Sequence, residues 1–245
     1  MCLVIVRVPL PGKAGVVVAA NRDEFYDRPA VSPSLLDPEF GIVAGRDLRA
    51  GRTWLGVNRH GVLATVANRH TASPEDAGRH SRGLLCLDTL RSRTVPEAVE
   101  RALAAASAQA CNPFNLLVAD SRQAWLVCGL PAPVATPLTP GWHVIGNGVP
   151  DDRLDPRVAR ALALIEAAGK QAPVEGFAPL EAICADHGAD GQAGADTLCM
   201  HGVRAGTRSS AVCLLPGPGA PTQLRHADGH PCRGDYAEVP LALPS

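Results

Sequence analysis

The residue with the most specific chemical potential is the cysteine at position 2. Methionine aminopeptidases remove Met1 when the second side chain is small, and removal leaves Cys2 as the first residue. One residue then carries both a thiol nucleophile and a free α-amine, which titrates near about 7.7–8.0 and can accept the thiol proton. The alternative is an ordinary core cysteine at the start of a buried strand.

Four polar residues, Asn21, Arg22, Asp23 and Glu24, follow an apolar strand that is predicted to pair with the strand beginning at Cys2. The ends of two hairpin strands meet, so this tetrapeptide is expected beside the chain terminus. An anion there can hold an α-ammonium, and a guanidinium can lower the pKa of a thiol. Strand alternation places Asn21 and Asp23 on one face and Arg22 and Glu24 on the other. The alternative is a solvated strand end with a surface ion pair.

Two asparagines, Asn68 and Asn147, each lie at or just beyond the end of a predicted strand. Side-chain amides are suitable donors to the oxyanion that develops during amide cleavage, because they carry no charge of their own. The alternative interpretation is that both are turn residues, and it is favoured for Asn147 by the glycine on each side of it.

Nine arginines fall between Arg46 and Arg93, in a stretch that is predicted to be mostly loops and short strands. Clustered guanidinium groups suit a carboxylate or phosphate on a ligand, and a solvated face is the alternative. The histidines and the eight cysteines form no H-E-x-x-H, C-x-x-C or C-x-x-C-H pattern, so no metal and no cofactor are predicted. His201 and His226 are interpreted as surface or packing residues.

The charge and the apolar segments of the sequence argue against several classes of protein. The 245 residues carry a net charge of -1, whereas a dedicated nucleic-acid-binding protein normally has a strong basic excess. The apolar N-terminal runs at 3–8 and 16–20 are interrupted by Pro9 and Pro11, and they fall short of the roughly 20 residues of a membrane span. No basic segment precedes them, so we predict no signal peptide, no membrane span and a cytoplasmic protein.

The predicted elements must bring these residues together. Strands are predicted at 3–8, 15–20, 53–58, 62–67, 114–119, 124–128, 142–145, 210–215, 223–226 and 236–239, with a Pro-rich loop at 131–140. Helices are predicted at 83–90, 95–108, from 155–156 to about 168, and at 180–185. Strands come as hairpins and helices come in separate blocks, which favours an α+β fold of two antiparallel sheets flanked by helices. Residues 1–245 are predicted to form a single domain.

The tetrapeptide at 21–24 resembles the signature of the NRDE family, whose eukaryotic members are transport and Golgi organisation proteins. Further motifs resemble that family in the same order: 44–47 (AGRD), 51–58 (GRTWLGVN), Asn68, 81–83 (SRG), 114–117 (FNLL) with Asp120, 146–147 (GN) and 206–210 (GTRSS). The resemblance spans residues 2 to about 215.

That family in turn resembles the cysteine branch of the N-terminal-nucleophile hydrolases, which contains bile-salt hydrolases and penicillin V acylases. The resemblance implies a four-layer αββα sandwich with Cys2 as nucleophile and Arg22 beside it. It implies that Asn68 and Asn147 are oxyanion-hole and amine-orienting groups, and that Arg208 is a late arginine of the same pocket.

One departure concerns the acidic group. In bile-salt hydrolases the aspartate follows the arginine by three residues, whereas here Asp23 is adjacent to it and Glu24 is next. Either carboxylate therefore remains open as the partner of the α-amine. Asp23 is placed with the catalytic residues, while Asn21, Glu24, Arg46 and Arg69 are predicted to contact the substrate.

Two functions remain open from the sequence. The first is a hydrolase that cleaves a linear amide or related acyl bond through a thioester on Cys2. The second is a binding or trafficking protein that holds a lipid-like, acyl-CoA or haem ligand in the same pocket, since a fold alone does not give a function. Both imply a small-molecule partner with an acyl or anionic group.

Overall fold

The chain folds into two antiparallel sheets stacked face to face between two layers of helices. The computed structural model describes residues 2–72, 74–76, 78–171, 176–188 and 196–241. The strands are β1 (Cys2–Val8), β2 (Val16–Phe25), β3 (Ala30–Asp37), β4 (Ile42–Asp47), β5 (Leu55–Val57), β6 (Leu63–Asn68), β7 (Phe114–Ala119), β8 (Ala124–Gly129), β9 (Pro133–Pro137), β10 (Gly141–Ile145), β11 (Ala205–Leu215), β12 (Gln223–Asp228) and β13 (Ala237–Glu238). The helices are α1 (Arg82–Leu90), α2 (Val95–Ala108), α3 (Pro156–Gln171) and α4 (Ala178–Cys184).

The two sheets differ in how their strands follow one another. The seven-stranded sheet has the order β3-β4-β5-β6-β7-β8-β9, so every strand pairs with its neighbour in the chain. The six-stranded sheet has the order β10-β1-β2-β11-β12-β13. Strands β1 and β2 thus lie inside this sheet, with β10 on one side and β11 on the other. Their continuous apolar sequence predicted this interior position.

Each face of the first strand meets a different layer. Val4 and Val6 pack in the core between the two sheets, whereas Leu3 and Ile5 pack in a second core beneath α3 and α4. A third core joins the seven-stranded sheet to α1 and α2. Three stacked apolar layers separate four layers of secondary structure, which confirms the predicted αββα sandwich.

Local sequence signals begin two of the helices. The side chain of Ser81 accepts a hydrogen bond from the Gly83 amide at the start of α1. Thr94 does the same for the Glu97 amide in α2, and the Glu97 carboxylate accepts one from the Arg93 amide in return. These caps satisfy backbone donors that have no partner within the helix, which explains why the start of α2 was predicted correctly.

Two strands at the edges of the seven-stranded sheet were not predicted. β3 contains Pro33 and two serines, and β9 lies within the segment predicted to be a loop and has a proline at each end. An edge strand tolerates proline because one side of its backbone needs no partner. Strand β4 was also missed, and β2 runs on to Phe25 rather than ending before the polar tetrapeptide. Within the described residues, no helix has the length and apolar character needed to cross a membrane.

Candidate active site at the start of the first strand

A cavity of about 560 Å³ opens where β1 begins, and Cys2, Arg22 and Asn68 line it. Cys2 and Arg22 are directly opposite one another in the β1–β2 register, so their side chains leave the sheet on the same face. Val4 and Ala20, two residues farther along each strand, lie in the core between the sheets, so that shared face looks towards the seven-stranded sheet. Asn68 is the last residue of β6 in that opposite sheet.

The Arg22 side chain is buried between an acid and an aromatic ring. Its Nη2 atom lies 3.0 Å from Asp47 Oδ2, and its guanidinium carbon lies 4.4 Å from the centre of the Trp54 ring. Glu24 Oε2 is 3.9 Å from the same nitrogen. With only 5% of the side chain exposed, this arginine is held in one orientation beside Cys2.

Asp47 gathers several donors at the cavity wall. Its carboxylate accepts from Arg28 Nε at 2.6 Å and from the backbone amides of Arg49 and Ala50 at 3.0 and 2.9 Å. Burial raises the pKa of Asp47, but the amide of Ala50 and the guanidinium of Arg28 outweigh it and hold the pKa below its usual range. Asp47 therefore stays charged opposite Arg22.

Asn21 and Asp23 lie on the other face of β2, as the alternation predicted. Asp23 accepts from Thr207 Oγ1 at 2.6 Å and from Arg157 Nη2 at 2.8 Å, and both charged side chains are buried. Asn21 donates to the carbonyl oxygens of Cys184 and Leu198, both at 2.9 Å. The Asn21 amide thus joins β2 to the α4 side of the fold rather than facing the cavity.

Asp23 and Glu24, the two carboxylates of the tetrapeptide, have different neighbours. Burial raises the pKa of the Cys2 thiol, and the negative charge of Asp23 adds to this. The backbone amide of Asp23 and the charge of Arg22 act in the opposite direction without reversing the shift. Glu24 instead accepts from the Phe25 amide and lies 3.6 Å from Arg28.

The two predicted oxyanion donors, Asn68 and Asn147, are hydrogen-bonded to each other. Asn147 Nδ2 donates to the backbone carbonyl oxygen of Asn68 at 2.6 Å, and the carbonyl oxygen of Asn147 accepts from the His70 amide at 2.7 Å. Asn68 is among the residues that line the Cys2 cavity, and its side-chain amide has no hydrogen-bond partner among the described residues. Asn147 itself borders a neighbouring cavity that Arg157 also lines.

Three predicted arginines lie elsewhere. Arg46 is exposed and Arg69 is half-buried, and neither is among the residues that line the Cys2 cavity. Arg208 sits at a bulge between β11 and β2, where its Nη1 donates to the Tyr26 carbonyl oxygen at 2.7 Å. It lines a small crevice on the other side of Arg22.

Sequence reasoning overlooked three residues that build the site: Asp47, Trp54 and Arg157. The first two belong to the family motifs at 44–47 and 51–58. Strand alternation in β4 turns Asp47 inward, whereas its neighbour Arg46 is exposed. Arg157 follows the predicted helix start, and no local pattern signals its pairing with Asp23, 134 residues away.

Solved structures of hydrolases share this fold. An ortholog of N-acylethanolamine-hydrolyzing acid amidase from Caenorhabditis elegans has a TM-score of 0.64 over 89% of this chain and 94% of that chain, at 14% identity. A mutant conjugated bile acid hydrolase from Clostridium perfringens has a TM-score of 0.51 over 98% and 97%, at 11% identity. At these identities the similarity concerns the fold, which is that of the N-terminal-nucleophile hydrolases.

The sequence itself matches a family. The profile of Transport and Golgi organisation 2 matches residues 1–182. The Transport and Golgi organization 2 homolog of Mus musculus is 31% identical over 144 residues, which are 55% of this chain and 51% of that protein. The match thus spans about half the length of this relative. The chain belongs to the Transport and Golgi organisation 2 family, as the tetrapeptide at 21–24 predicted.

Proposed function

We propose that the protein is a cysteine N-terminal-nucleophile hydrolase that cleaves a linear amide or a related acyl bond. The observation that carries the proposal is the Cys2 thiol in a cavity that Arg22 and Asn68 share. The cavity volume of about 560 Å³ is typical of a small-molecule site. The similarity in fold to an acid amidase and a bile acid hydrolase adds support.

The proposed reaction begins once Met1, which lies outside the described residues, is removed. Burial raises the pKa of the Cys2 thiol, so its proton needs an acceptor, and the new α-amine is on the same residue. The thiolate attacks the substrate carbonyl carbon, a C–S bond forms and the carbonyl oxygen takes the negative charge. The ammonium then protonates the leaving nitrogen as the C–N bond breaks. Water cleaves the thioester and restores the thiol and the amine.

Each neighbour of Cys2 receives one role in this proposal. The side-chain amide of Asn68 is assigned as the donor to the oxyanion, since Asn68 lines the cavity and this amide has no other hydrogen-bond partner within the described residues. Asn147 is a positioning residue because its amide holds the Asn68 backbone. Asp23 is assigned as the carboxylate that orients the α-amine, because its charge acts on Cys2 whereas Glu24 faces Arg22 and Arg28.

The lining of the cavity suggests an anionic acyl substrate. Six arginines contribute to it: Arg22, Arg28, Arg49, Arg52, Arg79 and Arg82. Five of these are within 4.0 Å of a carboxylate. Arg52 is half-buried and forms no ion pair within the described ranges, so it is the arginine best placed to bind a substrate carboxylate or phosphate. Trp54 and Val66 offer apolar surface to the acyl part.

A second candidate is a non-catalytic binding or trafficking protein that holds a lipid-like, acyl-CoA or haem ligand in this cavity. The same arginines favour it, because several guanidinium groups suit a ligand with more than one phosphate or carboxylate. The two candidates differ in what they require of Cys2. Hydrolysis needs both its thiol and a free amine, whereas binding needs neither.

The test is the intact mass of the purified protein before and after treatment with a thiol-reactive acylating probe. We expect Met1 to be missing, one probe molecule to be attached, and Cys2→Ala to abolish attachment. Cys128→Ala is the matched control, because Cys128 is also a half-buried cysteine but carries no amine of its own, and it should label like the unchanged protein. Full function with Met1 retained would refute amine-assisted hydrolysis and favour the binding protein.

A further inference from the structure

Two cysteines and two histidines converge outside the Cys2 cavity. They are Cys199, His201, His230 and Cys232, from the segment before β11 and the loop after β12. The ligating atoms of Cys199, His201 and His230 all lie within 4.8 Å of one another. His201 Nε2 lies 3.5 Å from Cys199 Sγ and 3.1 Å from Cys232 Sγ. Segments some thirty residues apart thus bring three ligating atoms together, and Cys232 Sγ approaches them beside His201.

We propose that these four side chains form a tetrahedral zinc site of the Cys2His2 type. In such a site Zn–S bonds of about 2.3 Å and Zn–N bonds of about 2.0–2.1 Å place sulfur and nitrogen ligands roughly 3.5 Å apart. The two sulfur–nitrogen distances at His201 are close to this value. Thiolate and imidazole ligands together select zinc over the harder magnesium or calcium ions.

An unsatisfied polar atom supports the site independently. His230 Nδ1 is buried and has no hydrogen-bond partner in the described part of the chain. A buried polar atom without a partner is destabilising, so its presence here needs an explanation. The His230 ring is stacked on that of His201, with 4.1 Å between their centres, which holds the His230 imidazole beside His201 and Cys199.

Four protein ligands leave no open position, so the role of the zinc is structural rather than catalytic. None of the four residues lines the Cys2 cavity. Cys199 follows Leu198, whose carbonyl oxygen accepts from both Asn21 and Arg157. The metal would thus fix the segment that anchors the far face of β2, beyond residues 1–182 that match the family profile.

The sequence pattern that marks this site is a mirrored pair, C-x-H at 199–201 and H-x-C at 230–232. The sequence predicted no metal because it has no C-x-x-C or H-E-x-x-H spacing, and His201 was interpreted as a surface or packing residue. In each half the two ligands are separated by one residue. The pairing of β11 with β12 brings the two halves together.

The experiment is a cobalt titration of the full chain, purified under reducing conditions and treated with a chelator. We expect one equivalent of Co²⁺ to bind with thiolate-to-cobalt absorption and visible bands of a tetrahedral ion, and Zn²⁺ to displace it. Cys232→Ser should weaken binding at least a hundredfold. The matched control Cys128→Ser removes a half-buried thiol from the other sheet and should bind like the unchanged protein.

Three results would overturn the proposal. One is the absence of a thiolate–cobalt band in the unchanged chain, a measurement that does not depend on the folding of any variant. Another is a Cys232→Ser variant that binds cobalt as tightly as the unchanged protein. The last is a disulfide between Cys199 and Cys232 under reducing conditions, detected as the loss of two hydrogens in the intact mass. None of these bears on Cys2 chemistry, so the hydrolase proposal stands or falls separately.

Discussion

The side-chain amide of Asn147 donates a hydrogen bond of 2.6 Å to the backbone carbonyl oxygen of Asn68. Asn68 ends β6 in the seven-stranded sheet, and Asn147 follows β10 in the six-stranded sheet. This bond therefore joins the two sheets at the edge of the Cys2 cavity. Through it, the side chain of Asn147 holds the backbone of Asn68, a residue that lines the cavity.

Replacing Asn147 by alanine tests this relationship. We expect labelling of Cys2 by the acylating probe to slow about tenfold, because the Asn68 backbone is no longer held in place. A tenfold change in rate corresponds to about 1.4 kcal/mol. The free energy of unfolding should fall by only about 1 kcal/mol, the net value of one hydrogen bond. Gln123→Ala is the control, because it removes a side-chain amide that donates to Asp120 and does not line the Cys2 cavity. Equal labelling rates in the two variants would contradict the assignment.

Arg22→Met leaves Asp47 and Trp54 without the buried cation between them. We expect the free energy of unfolding to fall by about 3–5 kcal/mol, the typical cost of removing one partner of a buried ion pair. Arg28→Met is the matched control, since Arg28 bonds the same Asp47 carboxylate but is 31% exposed, and it should cost about 1 kcal/mol or less. Urea unfolding measures both. A cost for Arg22→Met no larger than that of the control would show that burial adds nothing here.

Gly45→Ala should displace Trp54. A Cβ atom at position 45 would lie 2.5 Å from two atoms of the Trp54 ring, so the ring has to move off Arg22. We expect a loss of about 1–3 kcal/mol in stability, the usual cost of overpacking, and a changed tryptophan fluorescence spectrum. Gly148→Ala serves as the control because a Cβ there meets nothing within 4 Å. Combining Gly45→Ala with Trp54→Leu should recover part of the loss, and no recovery would argue against a clash.

A pH-sensitive pair joins β10 to the loop that carries Asn147. The hydrogen bond that His143 Nδ1 donates to Asp151 Oδ2 at 2.7 Å raises the pKa of His143 above its ordinary value near about 6.5. While Asp151, whose pKa His143 lowers, stays charged, the pair stabilises the fold fully below about pH 6.5, and this stability is lost as the pH rises through the folded-state pKa of His143.

Asp151→Asn checks this pair by NMR titration of the His143 ring. Asparagine tolerates the left-handed backbone at this position, where φ is 59°, so the variant changes mainly the charge. We expect the pKa of His143 to fall and the stability to depend less on pH just above about 6.5. Asp152→Asn, which changes a carboxylate in the same loop, should leave His143 unaltered. An unmoved His143 titration in Asp151→Asn would refute the coupling.

Local patterns were sufficient for the elements whose ends are set by nearby residues. The helix at 95–108 was predicted with the bounds that the structure has, because Thr94 and Glu97 cap it locally. The edge strands were missed because an edge is a property of the whole sheet, and Pro33 or the prolines of β9 read as breakers until their neighbours are known.

The candidate site divides in the same way. Cys2, Arg22 and Asn68 were found because each follows or begins a recognisable strand, and the structure brings them to one cavity. Arg157 could not be found locally, since its meaning depends on a carboxylate in a distant strand. The four proposed zinc ligands were missed for the same reason, because neither C-x-H at 199–201 nor H-x-C at 230–232 is a complete metal-binding motif.

The different strand orders of the two sheets have a consequence for synthesis on the ribosome. The seven-stranded sheet pairs only sequential strands and is complete once residue 137 has emerged. The six-stranded sheet is completed later, because β1 pairs with residues 141–145 and β2 pairs with residues 205–215. Contacts so distant in sequence close slowly and leave apolar edges uncovered meanwhile. Strands β1 and β2, which carry Cys2 and Arg22, are thus made first, but the sheet to which they belong is completed last.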